Sequence, residues 1–181
     1  MPHWKFIPET ENELYFLTST VVDWTHIFTE PTYFEIIIKS LSYCQLQKEL
    51  LIVGYVIMPN HLHIICGGSE KHKLSDIMRD FKQYTARKIL DELRANGRWK
   101  EIAVFEKAAL ADGKGNDYKF WTVGTHPILL ETAQKFQEKL NYIHNNPVRK
   151  GFVDAPEHWL YSSARNYISG DHSILKVECI E

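Results

Sequence analysis

Between Leu50 and Cys66 the chain carries the pattern of a β-hairpin and little else can be built from it. Leu50 to Met58 (Leu-Leu-Ile-Val-Gly-Tyr-Val-Ile-Met) is near-continuous in apolar residues, Pro59-Asn60 is turn chemistry, and His61-Leu62-His63-Ile64-Ile65-Cys66 returns before Gly67-Gly68. An unbroken apolar run predicts a strand buried on both faces, in the interior of a sheet. Side chains alternate along a strand, so His61 and His63 share one face while Leu62, Ile64 and Cys66 take the other. Two imidazoles side by side either face water, satisfy hydrogen bonds in the core, or bind something together. A divalent metal is the occupant that suits such a pair.

The remaining periodicities surround this hairpin. Tyr15 to Val22 is rich in β-branched and aromatic residues and reads as a strand. Pro31 opens a helix with Phe34, Ile37, Ile38 and Leu41 at helical spacing, running to about Leu46. Ser75 is placed to cap a second helix, marked by Ile77, Met78, Phe81, Ile89, Leu90 and Leu93 and ended by Asn96-Gly97. Residues 97–119, with Gly97, Gly113, Gly115, Asn116 and Asp117, read mostly as an irregular connection, and Phe120–Val123 as a short strand. A last helix spans about Glu131 to Asn145 and is stopped by Pro147. The tail from Ala155 to Tyr167, with Trp159 and Tyr161, is expected to fold back. This order predicts an α+β fold, a ferredoxin-like sandwich with an antiparallel sheet and an added C-terminal helix. Residues 1–181 read as one domain, with 152–181 a tail packing on it.

Composition narrows the class. Hydrophobic content of 44% with 13% aromatics excludes a disordered chain. No apolar run reaches the length of a membrane span, and Met1-Pro2-His3-Trp4-Lys5 is no signal peptide. Cys44, Cys66 and Cys179 have no paired spacing, which suits a reducing cytoplasm. Formal net charge is −2, yet residues 71–100 hold nine basic and four acidic side chains, a local balance of +5. Lys82, Arg87 and Lys88 on that segment are therefore expected either to contact a nucleic-acid backbone or to form a solvated helix face.

The other stretch with chemistry is Leu140-Asn141-Tyr142-Ile143-His144-Asn145-Asn146-Pro147-Val148-Arg149. Ala133, Phe136, Leu140 and Ile143 mark the buried stripe of its helix, and Tyr142 stands about 100° off it. Tyr142 shares a face with Asn146 four residues on, with Lys135, Glu138 and Lys139 behind it, and Asn146 is expected on an open face. Such a tyrosine is either an amphipathic packing residue or a nucleophile.

Taken together, the order and spacing of three motifs resemble the HUH single-tyrosine, IS200-like transposases. The motifs are Met58-Pro59-Asn60-His61-Leu62-His63, Tyr142 through Gly151, and Trp159-Leu160-Tyr161-Ser162-Ser163-Ala164. The nearest branch is the REP-associated tyrosine transposases, with their Asn-Pro-Val-Arg element. The resemblance implies a ferredoxin-like fold that cleaves and rejoins single-stranded DNA, with hairpin-forming repeats as partner. It further implies His61 and His63 as metal ligands, Tyr142 as nucleophile, Asn146 as third ligand, and a 5′-phosphotyrosine intermediate with a free 3′-hydroxyl. A monomer is expected from that branch, a homodimer being the alternative. Two imidazole nitrogens and an amide oxygen suit Mg²⁺ or Mn²⁺. Lys135 or Lys139 is placed to stabilise the phenolate, and Arg149 and Lys150 to join Lys82, Arg87, Lys88, Lys135 and Lys139 in contacting DNA. Tyr84 is followed four residues on by Lys88, which cannot ligate a metal while protonated, and matches no catalytic position. His126, His144 and His158 are further candidates for a metal ligand or a base, each read as a packing or surface residue. The rival reading is a domesticated, non-catalytic binder of structured single-stranded DNA.

Overall fold

In the computed structural model, which describes residues 13–122 and 126–180, four strands make one antiparallel sheet. They are β1 (Tyr15–Thr20), β2 (Leu51–Met58), β3 (His61–Gly67) and β4 (Ile128–Leu129), in the spatial order β2-β3-β1-β4. With α1 (Pro31–Lys48) joining β1 to β2 and α2 (Leu74–Ala95) following β3, this is the β-α-β-β-α-β arrangement of the ferredoxin-like α+β sandwich. Pro31 occupies the first turn of α1, where its missing N–H is not needed.

The sheet is buried on both faces. Leu17, Ile52, Tyr55, Ile57, Leu62, Ile64 and Cys66 pack against the apolar stripes of α1 and α2. Phe16, Val53, Val56, Met58 and Ile65 face the other way, against Phe136, Leu140 and Ile143 of α4 (Ala133–His144). A bulge between Ile52 and Gly54 puts Val53 and Gly54 on the α4 side in succession and resets the register to Val56↔His63 and Met58↔His61. A Cβ on Gly54 would stand 2.9 Å from Leu140 Cδ1 and 3.0 Å from Ile143 Cδ1, so the missing side chain lets α4 lie close to the sheet.

Several sequence expectations are corrected. The apolar run of β2 belongs to a strand at the sheet edge, not in its interior; helices on both faces explain its composition. Its outer edge is covered by the tail: Ile57 N–H donates to Tyr161 O, Ser163 N–H to Tyr55 O and Glu178 N–H to Ile52 O, each at 2.9 Å. Residues 97–119 are not mostly irregular. They form α3 (Trp99–Asp112), whose Ile102, Phe105 and Ala109 recur at helical spacing and are buried. The glycines that suggested a loop lie at its ends, Gly113 taking φ +66° as the cap. Ser75 is inside α2, and the capping position is Lys73, without a side-chain bond.

The strand expected at Phe120–Val123 is only an isolated bridge, Trp121 to Val21, and Val123 is outside the described residues. The edge partner of β1 is β4, through Tyr15↔Leu129 and Phe16↔Ile128. The helix expected at about 131–145 is α4, which ends at His144 with Asn145 as its cap; beyond the expected end a further turn of helix, α5 (Asn146–Arg149), begins with Pro147 in its first turn. A short helix α6 (Ala164–Ser169) completes the tail. Among the described residues, no helix is long and apolar enough to cross a membrane.

Candidate active site

The site is assembled by the register of β3. Because this strand lies between β2 and β1, its outward residues His61 and His63 are flanked by Met58 and Val56 on one side and Thr20 and Thr18 on the other. Both point to the face on which α4 packs, and both are buried, with 8% and 6% of their surface exposed. Their ring centres are 4.6 Å apart with planes at 72°.

Each ring is held by its Nδ1. His61 Nδ1 lies 2.7 Å from Asn60 Oδ1, and Asn60 Nδ2 donates to the Trp24 carbonyl at 3.1 Å. The second bond orients the Asn60 amide, so His61 must donate from Nδ1 and keep the lone pair on Nε2. His63 Nδ1 lies 2.8 Å from Thr18 Oγ1, which can accept its proton and leave Nε2 free in the same way. Burial pushes the His61 imidazole down to about 4, with Lys150 adding to the effect. Burial pushes His63 to about 3, helped by His61, Lys139 and Arg149. Both rings are therefore neutral near pH 7, the form that ligates a metal.

Tyr142 of α4 stands over this pair. Its ring centre is 5.3 Å from that of His63, edge-on, and 6.1 Å from Phe16. It remains 38% exposed. The Arg149 guanidinium lies 4.5 Å from the Tyr142 ring centre and donates to the Tyr142 carbonyl at 3.3 Å, while Lys139 Nζ lies 5.8 Å from the same ring. Sequence reasoning assigned Arg149 to DNA alone and missed its place against Tyr142.

Asn146 is not on an open face. It is 4% exposed at the start of α5. Among the described residues, no third His, Cys, Asp or Glu joins the two histidines. The two neutral imidazole nitrogens leave positions open for oxygen ligands, which fits Mg²⁺ or Mn²⁺.

The other expected residues divide sharply. Lys139, Arg149 and Lys150 gather at the site. Lys135 does not approach Tyr142; it pairs with Glu131 at 2.6 Å on the exposed side of α4. Lys82, Arg87 and Lys88 are on α2, which packs on the opposite face of the sheet, together with Tyr84. Some of the basic side chains of that segment are paired locally, Arg79 with Asp76 and Asp80, Arg94 with Asp91 and Arg98 with Glu101. His144 is buried, its Nε2 2.8 Å from Ser163 Oγ, and His126 and His158 are exposed away from any cluster of metal-binding side chains. The positioning groups Thr18 and Asn60 were not picked out from the sequence, although Asn60 adjoins His61 and Thr18 shares the period-two pattern of β1.

A family model described as transposase IS200 like matches residues 21–108, a span that holds both histidines and ends before Tyr142. No curated protein matches the chain. Among solved structures, a REP-associated tyrosine transposase bound to a REP hairpin is similar, with a TM-score of 0.62 at 17% identity over 93% of this chain and 87% of that one. At that identity the likeness concerns the fold. A candidate transposase from Deinococcus radiodurans R1 gives a TM-score of 0.47 at 16% identity, over 75% of this chain and 92% of that one.

Proposed function

We propose that this chain, of which residues 21–108 match a family model described as transposase IS200 like, is a metal-dependent single-stranded DNA endonuclease and strand transferase with Tyr142 as nucleophile. The observation that carries the reading is the placement of the Tyr142 ring 5.3 Å from His63, beside two neutral imidazoles with free Nε2 atoms. His61, His63 and the Asn146 amide would hold Mg²⁺ or Mn²⁺, which when bound supplies Lewis-acid polarisation of a phosphate oxygen. Thr18 and Asn60 keep the rings in the ligating tautomer.

The Tyr142 hydroxyl makes no hydrogen bond among the described residues and is open to solvent on one side, so it can meet an incoming phosphodiester. Its oxygen adds to phosphorus as the bond from phosphorus to the 3′ oxygen breaks. The phenolic proton leaves for solvent and the departing 3′ oxygen takes one up. The resulting 5′-phosphotyrosine ester keeps the bond energy, so a 3′-hydroxyl can reverse the step and rejoin strands without a nucleotide cofactor. Lys139, Arg149 and Lys150 place positive charge where backbone phosphates would lie. Hairpin-forming single-stranded repeats are the proposed partner. Tyr142 reaches histidines of its own chain, which supports action as a monomer, a single domain with residues 152–181 as its tail; light scattering at micromolar concentration tests this.

Labelled hairpin-flanked strands from the genomic flanks, incubated with Mn²⁺, should give a protein–DNA adduct stable on denaturing gels. Tyr142→Phe should abolish the adduct and keep binding. A non-catalytic binder would form no adduct with any such strand and lose nothing on this substitution.

A further inference from the structure

We propose that the Trp24 indole is a stacking platform for a base of the single strand next to the scissile phosphate, an inference that rests on the reading above. Trp24 is 63% exposed, a large apolar surface left in water. Its ring is roughly perpendicular to that of His61 with centres 5.9 Å apart, so it stands at the lip of the histidine pair with most of its surface open to a ligand. Its backbone is strained as well. Asp23 and Trp24 both take φ of +53°, a left-handed geometry in which glycine is the ordinary choice.

The surroundings hold that geometry firmly. Trp24 N–H donates to Val21 O and Thr25 N–H to Val22 O, both at 3.1 Å. The Thr25 hydroxyl donates to Val22 O at 2.8 Å. Asn60 Nδ2 donates to the Trp24 carbonyl, and the same amide accepts from His61. One side chain therefore ties the indole to the ring that would face the phosphate. A bulky aromatic that leaves 63% of its surface in water gains little from burial to offset a backbone suited to glycine. Such strain at a site points to function. Every base offers a π-face, so a platform here would fix the position of a strand without reading its sequence. The cations at the site, Lys139, Arg149 and Lys150, would take the phosphates on either side.

The test uses the full chain carrying Tyr142→Phe, in EDTA, with 2-aminopurine scanned along the hairpin-flanked strand. Quenching at one position next to the cleavage site is expected on binding. Trp24→Ala should remove that quenching and weaken affinity roughly tenfold, and Trp24→Phe should restore most of both. Trp24→Gly should raise the thermal midpoint while losing the quenching, a combination that a structural tryptophan would not give. If Trp24→Ala leaves quenching and affinity unchanged, the platform is refuted, whatever the adduct assay reports. If chains with Tyr142 intact form no adduct while quenching still depends on Trp24, the nuclease reading fails and the platform stands in a binder. If no strand binds at all, both fall.

Discussion

Gly54→Ala tests whether close packing of α4 on the sheet is what brings Tyr142 to the histidines. The added Cβ would sit 2.9 Å from Leu140 Cδ1 and 3.0 Å from Ile143 Cδ1, whereas ordinary contact begins at 3.4 Å, so these side chains or the helix must retreat by about 0.5 Å. Overpacking of this kind costs roughly 1–3 kcal/mol. Replacing a strand glycine recovers about 0.5–1 kcal/mol. The net loss should be about 1 kcal/mol, read from urea unfolding with an unchanged slope. Function should suffer more than stability. Ile143 adjoins Tyr142 in the chain, and a misplacement of about 1 Å at a reacting group can cost about 100-fold, so a shift half that size should slow adduct formation roughly tenfold. Ile143→Val removes one of the two contacting atoms and should recover part of the rate in the double variant. Wild-type adduct kinetics in Gly54→Ala, with stability equal or higher, would refute the reasoning and show that Tyr142 is placed by something other than the Gly54 gap.

Three further outcomes are expected. In the metal-free protein the folded pKa of His61, His63 and His144 is depressed by burial to about 4, 3 and 4, so their contribution is complete above about 6.5 and is lost as pH falls towards those values; each should cost about 2 kcal/mol at pH 5, and a melting temperature that is flat between pH 7 and 5 would contradict their burial as neutral rings. Ser163→Ala removes the hydroxyl that accepts from Tyr55 N–H at 2.9 Å and meets His144 Nε2 at 2.8 Å, which should destabilise the fold by about 1–3 kcal/mol in denaturant titration. Asn60→Ala frees His61 Nδ1 from its orienting acceptor and should weaken Mn²⁺ affinity by about 10–100-fold in calorimetry; an unchanged affinity would contradict that role.

Local pattern carried much of this protein. The hairpin, the apolar stripes of α1, α2 and α4, and the shared face of His61 and His63 all follow from periods of 2.0 and 3.6 residues, which depend on the backbone alone. The pairing of a tyrosine motif with a histidine motif was also readable, because each carries its residue types at fixed short spacing. What the sequence left undecided were the choices that depend on neighbours distant in the chain. An apolar run does not distinguish an interior strand from an edge strand covered by a tail, so β2 was misplaced. Glycines at the ends of 97–119 masked the stripe of Ile102, Phe105 and Ala109, whose burial exists only because α2 and the turn at Val22–Trp24 provide a surface for it.

Asn146 looked open from its helix position and is buried once α5 turns it inward. Seven lysines and arginines were equivalent as charges in the sequence. The two faces of the sheet separated Lys139, Arg149 and Lys150, which reach the site, from Lys82, Arg87 and Lys88, which lie behind it, while Glu131 withdrew Lys135 into an ion pair. Which residues stand on one strand face is a local property of the chain; which helix that face meets, and at what distance, is set by the bulge at Val53, the gap at Gly54 and the order of the strands, none of which is encoded within a single element.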